Sequence, residues 1–240
     1  MSSSKINVLS TRSLDLLIIN KAANNNIFVD SIPFIETKAI ESEALIEQIK
    51  TLSSQKIIAI FTSKNAVDIV SSTLTEKTGW KIYCTGGATK ERVKECFGEE
   101  TIIASAKSSS ALAEKIIANT NVKEVVFFCG DQRLDDLPET LKAHNIAVNE
   151  MIVYQTFQTP KLIEEDYEGI LFFSPSAVHS FFSLNTIHTD VTLFAIGKTT
   201  AATIGTYVAN KIITSEWPGR EQMIDLVVNY FKGKKIKEGV

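Results

Sequence analysis

Short apolar runs alternate with amphipathic stretches along the whole chain. The apolar runs are rich in Ile, Val and Phe, and several lack polar alternation, which is typical of strands buried on both faces. They predict strands at Ile6–Leu9, Ile27–Val29, Ile57–Thr62, Lys81–Cys84, Thr101–Ala104, Glu124–Cys129, Ile146–Val153, Ile170–Phe173, Val191–Ile196 and Lys211–Thr214. The amphipathic stretches predict helices at Leu14–Ala23, Ser42–Leu52, Ala66–Thr75, Thr89–Phe97, Ser109–Asn119, Leu134–Ala143, Ala177–Leu184, Thr199–Tyr207 and Arg220–Phe231. Strand–helix alternation indicates an α/β fold with parallel sheets.

A weak internal duplication favours two sheets over one. Phe61–Val67 and Phe172–Val178 both read F-x-S-x-x-A-V, and Gly86–Thr89 and Gly197–Thr200 both read G-x-x-T. The serine of the first motif precedes the glycine of the second by 23 positions in both copies. Matched spacing of this kind implies repeated architecture, so we expect two parallel-sheet α/β domains related by duplication.

The segments that come after the two copies differ, and this difference predicts the domain boundaries. A further strand–helix unit comes after the first copy but not after the second, and the N-terminal strand and helix can replace it. We therefore expect one discontinuous domain, residues 1–32 plus 160–240, into which a second domain, 37–152, is inserted. The two crossings, about 33–36 and 153–159, read as extended segments and could pair as a two-stranded linker that acts as a hinge.

Composition and charge exclude several classes of protein. The 25 Lys and Arg against 28 Asp and Glu give a net charge of −3, which argues against a nucleic-acid binder. Cys84, Cys96 and Cys129 show no CxxC spacing, so neither a disulfide framework nor a zinc site is indicated. The apolar runs fall far short of the ~20 residues of a membrane span, and the N-terminus lacks a signal-peptide pattern. We expect a cytoplasmic protein with no membrane or nucleic-acid partner.

Hydroxyl side chains cluster where strands end and helices begin, in a predicted cleft between the two domains. There, backbone N–H groups and the helix dipole favour anions. The hydroxyl side chains could alternatively serve as N-caps that stabilise the helices. These residues are Ser63, Thr89, Ser174, Thr199 and Thr200. The cations that flank the same junctions could add charge or could be solvated surface residues, and they are Arg12, Lys64, Lys90, Arg133 and Lys198.

Several familiar catalytic motifs are missing. The sequence contains no G-x-G-x-x-G after a strand, no P-loop and no G-x-S-x-G elbow, and its histidines lack metal-ligand spacing. Asp131, Asp135 and Asp136 are interpreted as an acidic patch that complements a helix dipole. An enzyme with so few strong catalytic groups would mainly bind and orient a substrate that is already reactive.

The motifs, taken in order, resemble the uroporphyrinogen-III synthase family over nearly the whole chain. They are F-T-S-x-x-A-V at 61–67, G-x-x-T at 86–89, V-Y-Q-T at 153–156, F-F-S-P-S-A-V at 172–178 and A-I-G-x-T-T-A at 195–201. The resemblance implies two α/β domains joined by a two-stranded linker. It also implies conversion of hydroxymethylbilane, a linear tetrapyrrole, to uroporphyrinogen III with loss of water and without a cofactor or metal. In the implied mechanism the hydroxyl leaves, ring D attacks through its substituted carbon to form a spiro intermediate, and reclosure inverts ring D.

The resemblance also implies roles for individual residues. Tyr154 matches the linker tyrosine of the family and is the candidate proton donor for departure of the hydroxyl, the alternative being a partly buried aromatic with a satisfied hydroxyl. The candidate contacts to the eight substrate carboxylates are Ser63, Thr89, Ser174, Ser176, Thr199, Thr200, Arg12, Lys64 and Lys198. Two positions depart from the family pattern: Lys64 stands where proline is common, and Trp217–Arg220 matches it loosely.

Two other classes of protein stay open at this point. One is a non-catalytic two-lobed module that binds an anionic small molecule in the cleft, which would also need two lobes and two crossings. The other is a two-domain glycosyl- or nucleotidyl-transferase, weakened by the lack of a nucleotide fingerprint. We expect the protein to be a monomer.

Overall fold

The structure, a computed structural model, describes residues 5–217 and 219–238, with side chains described as far as residue 234. The chain forms two compact units. One contains the residues up to Glu36 together with those from Phe157 onward, and the other is Thr37–Thr156. Pro218, part of the segment Trp217–Arg220 that matches the family pattern loosely, lies outside the described residues.

Strands and helices alternate over most of the described chain. The strands are β1 (Ile6–Ser10), β2 (Ile27–Ser31), β3 (Ile35–Ala39), β4 (Ile58–Phe61), β5 (Lys81–Thr85), β6 (Ile102–Ala106), β7 (Glu124–Gly130), β8 (Ala147–Gln158), β9 (Gly169–Phe172), β10 (Thr192–Ala195) and β11 (Ile212–Thr214). The α-helices are α1 (Leu16–Ala23), α2 (Glu43–Ser53), α3 (Lys64–Thr73), α4 (Ala88–Phe97), α5 (Ser109–Ile117), α6 (Asp136–Ala143), α7 (Pro175–Phe182), α8 (Lys198–Gly205) and α9 (Arg220–Glu238).

The discontinuous unit contains a sheet with the strand order β11-β10-β9-β1-β2, in which all neighbours are parallel. Successive residues of β1 face opposite cores. Val8 packs with residues of α1 and α9 such as Phe231, while Leu9 packs with residues of α7 such as Phe181. Burial on both faces explains why the strands of this unit read as continuous apolar runs.

The unit Thr37–Thr156 contains a sheet with the order β3-β8-β7-β4-β5-β6, and β8, β7, β4, β5 and β6 run parallel. One core, which includes Phe61 and Phe128, packs against α2, α3 and α4. The opposite core, which includes Phe127, packs against α5 and α6. The predicted class, α/β with parallel sheets, is therefore confirmed in both units.

Capping serines explain why two helices begin earlier than the sequence pattern predicts. Helices α3 and α7 begin at Lys64 and Pro175, two residues earlier than the apolar pattern predicts. Ser63 Oγ accepts the N–H of Asn65, and Ser174 Oγ accepts the N–H of Ala177. Because a capping side chain satisfies a backbone donor of the first turn, each helix begins directly after its serine.

Candidate active site

Tyr154 and Ser63 meet at the carboxyl edge of the sheet in the unit Thr37–Thr156. Tyr154 lies on β8, and Ser63 follows β4, which is separated from β8 by β7 alone. The phenolic hydroxyl of Tyr154 donates a hydrogen bond of 3.0 Å to Ser63 Oγ. Both side chains are half-buried. Two of the candidates inferred from the sequence are therefore joined directly by a hydrogen bond.

A β-bulge turns Tyr154 toward Ser63. The ladder between β7 and β8 pairs Cys129 with Ile152 and then Gly130 with Tyr154, so that Val153 is the extra residue. Met151 and Val153 face the core beside α3, and strict alternation would point Tyr154 to the opposite face. Tyr154 nevertheless packs against the same core as Val153. Bulges of this kind re-aim a side chain near a functional site.

Asp131 fastens the part of the strand that directly follows the bulge. Its backbone N–H donates to the carbonyl of Tyr154 at 3.0 Å, and its carboxylate accepts the N–H of Thr156 at 2.9 Å. The interpretation of Asp131 as part of an acidic patch at a helix start is therefore wrong, because its carboxylate caps a strand and α6 begins only at Asp136. Asp135 and Asp136 do lie at the start of α6, where their negative charge complements the helix dipole.

Glycines, and not threonines, cap the helices at the G-x-x-T motifs. Gly87 precedes α4 with φ +65°, in the left-handed region that glycine adopts most easily, and Thr89 is buried in the first turn. Gly197 precedes α8 with an extended backbone, and in that helix Thr199 is exposed and Thr200 is buried. The alternative that these threonines are N-caps is wrong. The backbone N–H groups of both first turns lie at the carboxyl edge of a sheet.

The discontinuous unit carries its own set of candidates at the carboxyl edge of its sheet. Ser174 caps α7, and Ser176 is half-buried in the first turn of that helix. Lys198 is exposed at the start of α8, and Arg12 is exposed two residues after β1. The neighbouring Thr11 is buried, and its N–H and hydroxyl both donate to the carbonyl of Leu171, which fixes the end of β1 to β9.

Two of the cations next to these junctions are held by carboxylates. Lys64 pairs with Asp68 at 3.1 Å, one turn along α3, and Arg92 contacts the same carboxylate. Arg133 and Lys142 both bind Glu150 of β8. Burial alone would raise the pKa of Glu150, but these two hydrogen bonds outweigh it and hold that pKa below its ordinary value. Lys64 could therefore bind a substrate carboxylate only in competition with Asp68.

The two buried thiols of the described chain are unsuited to act as nucleophiles. Burial raises the pKa of Cys84 to about 11 and that of Cys129 to about 12, so both stay protonated at neutral pH. His144 directly follows α6, His179 lies on α7 and His188 precedes β10, and all three are exposed. No group of three or more metal-ligating side chains occurs among the described residues.

None of the helices in the described ranges has the length and apolarity needed to cross a membrane.

Known structures share this architecture. A mutant uroporphyrinogen III synthase from the bacterium Thermus thermophilus matches with a TM-score of 0.65 at 14% sequence identity, covering 95% of this chain and 99% of the other. A uroporphyrinogen-III synthetase from Helicobacter pylori matches with a TM-score of 0.65 at 17% identity, covering 94% and 99%. At these identities the likeness shows the fold. No curated protein sequence matches the chain significantly.

A family model assigns the chain to a class of enzymes. The model described as "Uroporphyrinogen-III synthase HemD" matches residues 21–225, which is most of the sequence. The match identifies a lyase-type enzyme of tetrapyrrole biosynthesis. The chain belongs to the uroporphyrinogen-III synthase family, and the resemblance that its motifs indicated is confirmed.

Proposed function

We propose that this chain cyclises hydroxymethylbilane to uroporphyrinogen III with inversion of ring D and loss of one water, without a cofactor, and that Tyr154 donates the proton that the leaving hydroxyl needs. The hydrogen bond from Tyr154 to Ser63 is the observation that carries the residue assignment. It holds an O–H donor at the edge of a parallel sheet, where ligands bind in open α/β folds.

The reaction balances with one proton donor and no other reagent. The phenol releases its hydrogen bond to Ser63 and gives its proton to the hydroxyl, which leaves as water, and the tetrapyrrole becomes an electrophilic protonated azafulvene. Ring D then attacks through its substituted carbon to form the spiro intermediate. Cleavage and reclosure invert the ring, and loss of a proton from the new pyrrole carbon restores the charge on the enzyme. Selecting a substrate conformation, together with mild acid assistance, suits a site with few strong catalytic groups.

The substrate carboxylates are proposed to bind to first turns of helices at the carboxyl edges of both sheets. Ser63 and Ser174 cap α3 and α7, and Gly87 and Gly197 leave first-turn N–H groups of α4 and α8 without a side-chain cap. Such N–H groups and the helix dipole bind carboxylates without needing a positive net charge. Arg12, Lys64 and Lys198 would add charge, and Ser176, Thr89, Thr199 and Thr200 would shape the turns around the ligand.

The two compact units are proposed to be the two domains of the family. The boundaries of these units differ little from the domain boundaries expected from the sequence. In this proposal β3 and β8, neighbours in one sheet, are the two-stranded linker, and the repeated motifs of 61–89 and 172–200 record an internal duplication. The enzyme is further proposed to be a cytoplasmic monomer.

Product analysis tests the activity. Freshly prepared hydroxymethylbilane is supplied, the products are oxidised, and the I and III porphyrin isomers are separated by chromatography. We expect isomer III to dominate, because without an enzyme the same substrate closes to isomer I. Isomer I at the uncatalysed rate from folded protein would contradict the proposal, and tight tetrapyrrole binding without isomer III would instead support a non-catalytic binding module.

Replacing Tyr154 tests the proton donor. Tyr154→Phe removes only the hydroxyl, so we expect a fall in turnover of at least tenfold with unchanged folding, in line with the usual contribution of a general acid. Tyr207→Phe is the matched control, because Tyr207 follows the far end of α8 and contacts His179. Equal turnover of Tyr154→Phe and wild type would remove Tyr154 from the mechanism.

A further inference from the structure

The position opposite Tyr154 in the ladder is Gly130, the last residue of β7. A Cβ atom built on Gly130 would overlap Cε2 and Cζ of the Tyr154 ring and would lie 2.8 Å from its hydroxyl oxygen. Carbon atoms in favourable contact lie about 3.5–4.0 Å apart. The Tyr154 ring therefore occupies the space that any side chain at position 130 would need.

The backbone of Gly130 does not itself require glycine. Among the described residues, the glycines with positive φ are Gly87 and Gly98, and Gly130 has a conformation that alanine can adopt. Gly79, also free of positive φ, has nothing closer to a built Cβ than Lys56 Cγ at 3.9 Å. The steric demand at Gly130 therefore comes from Tyr154 and not from the turn.

Gly130 and the bulge at Val153 both affect the position of the Tyr154 side chain. The bulge directs Tyr154 onto the face that carries Phe128 and Phe61, and the missing side chain at Gly130 leaves room for the ring at the end of β7. The hydroxyl then reaches Ser63 beyond β4. A larger residue at position 130 would block this path even with the bulge intact.

We propose that Gly130 is a positioning residue, whose lack of a side chain places the Tyr154 hydroxyl against Ser63 for proton donation. The proposal rests on the function proposed above for Tyr154. The atoms that a Cβ would meet are the far end of a side chain and not backbone, so Gly130→Ala displaces the ring and leaves the strands paired.

Kinetics of four variants test the consequence for catalysis. We expect Gly130→Ala to lower kcat for isomer III at least tenfold with little change in KM, as Tyr154→Phe does, while Gly79→Ala behaves as wild type. Because Gly130 acts through the phenol, the double variant Gly130→Ala/Tyr154→Phe should lose no more than twofold beyond Tyr154→Phe alone. Wild-type turnover of folded Gly130→Ala, or a further tenfold loss in the double variant, would overturn the proposal.

A spectroscopic measurement tests the position of the ring independently of turnover. The five tyrosines are labelled with ¹³C at Cζ, and the Tyr154 signal is assigned by its loss in Tyr154→Phe. We expect that signal to shift in Gly130→Ala and to stay in place in Gly79→Ala. A wild-type protein that forms only isomer I would refute the proposed function, and an unchanged Tyr154 signal in Gly130→Ala would refute the positioning role whatever the activity.

Discussion

The hydroxyl of Tyr154 donates a 3.0 Å hydrogen bond to Oγ of Ser63, a residue 91 positions earlier in the chain. The same oxygen accepts the N–H of Asn65 as the cap of α3. A hydroxyl has two acceptor positions and one proton, so with both acceptor positions used Ser63 can still donate its own proton. Ser63 therefore stabilises a helix and holds Tyr154, and its own proton can still be donated.

Ser63→Ala should lower both stability and turnover. Loss of the cap should cost about 1 kcal/mol of the free energy of unfolding. Loss of the acceptor for Tyr154 should lower isomer III formation several-fold, because the phenol is no longer held in place. Ser63→Thr keeps a hydroxyl cap and should retain most of both. Urea unfolding and the isomer assay measure the two effects separately.

Ser108 provides the matched control for that experiment. Its Oγ accepts the N–H of Ala111 and caps α5 in the same way, but it follows β6, which is four strands along the sheet from β8. Ser108→Ala should therefore lose a similar free energy of unfolding while keeping wild-type turnover. If Ser108→Ala and Ser63→Ala lost turnover equally, the effect of Ser63 would be one of stability alone.

The side chain of Asp131 should matter for Tyr154 through its hydrogen bond to the backbone of β8. Asp131→Ala removes the acceptor for Thr156 N–H, so the strand after the bulge gains freedom and isomer III turnover should fall several-fold. Asp131→Asn keeps a side-chain oxygen acceptor and should restore turnover. Asp136→Ala, which removes an exposed carboxylate at the start of α6, should have no effect on turnover. Loss of turnover in Asp131→Asn equal to that in Asp131→Ala would show that the charge matters and not the hydrogen bond.

Much of the fold can be derived from patterns within short segments. Apolar runs without alternation located the strands, and Ser63 and Ser174 stand where a capping side chain is expected before a helix. The sequence could not show that Thr89 and Thr200 are buried while glycines precede their helices. Burial of a small hydroxyl depends on the neighbouring strands and helices, which a local pattern does not contain.

The position of Tyr154 shows the same limit more sharply. Alternation along β8 places Tyr154 on the face of Ile152, and the bulge at Val153 reverses this. The bulge depends on the pairing of β8 with β7 and on Asp131, residues more than twenty positions earlier. A glycine directly before an aspartate at the end of a strand was the available signal, since glycine inside a strand often marks a bulge or a close approach.

Glu150 should make stability depend on pH in the acidic range. Its pKa in the folded protein lies below that in the unfolded chain, because Lys142 and Arg133 bind the carboxylate. The stabilisation is therefore fully present above the unfolded pKa, near 4.5, and is lost as pH falls through the folded pKa. Glu150→Gln should lower the free energy of unfolding by about 1 kcal/mol at neutral pH, and the difference from wild type should vanish in strong acid.

Urea unfolding of wild type and Glu150→Gln across this pH range measures that effect. Glu124→Gln is the control, because Glu124 is exposed at the start of β7, on the same sheet. Its free energy of unfolding at neutral pH should match that of wild type. A difference between Glu150→Gln and wild type that did not change with pH would show that the Glu150 contacts contribute through packing and not through charge.

The three thiols should differ in reactivity in the folded protein. Cys84 and Cys129 are fully buried, and burial raises their pKa values to about 11 and 12, so at pH 8 they are both inaccessible and protonated. Cys96 is half-buried on α4. Titration with an aromatic disulfide reagent at pH 8 should modify one thiol rapidly in native protein and three in urea, and Cys96→Ser should abolish the rapid phase. Rapid modification of two or three thiols in the native protein would contradict the buried positions of β5 and β7 in the sheet.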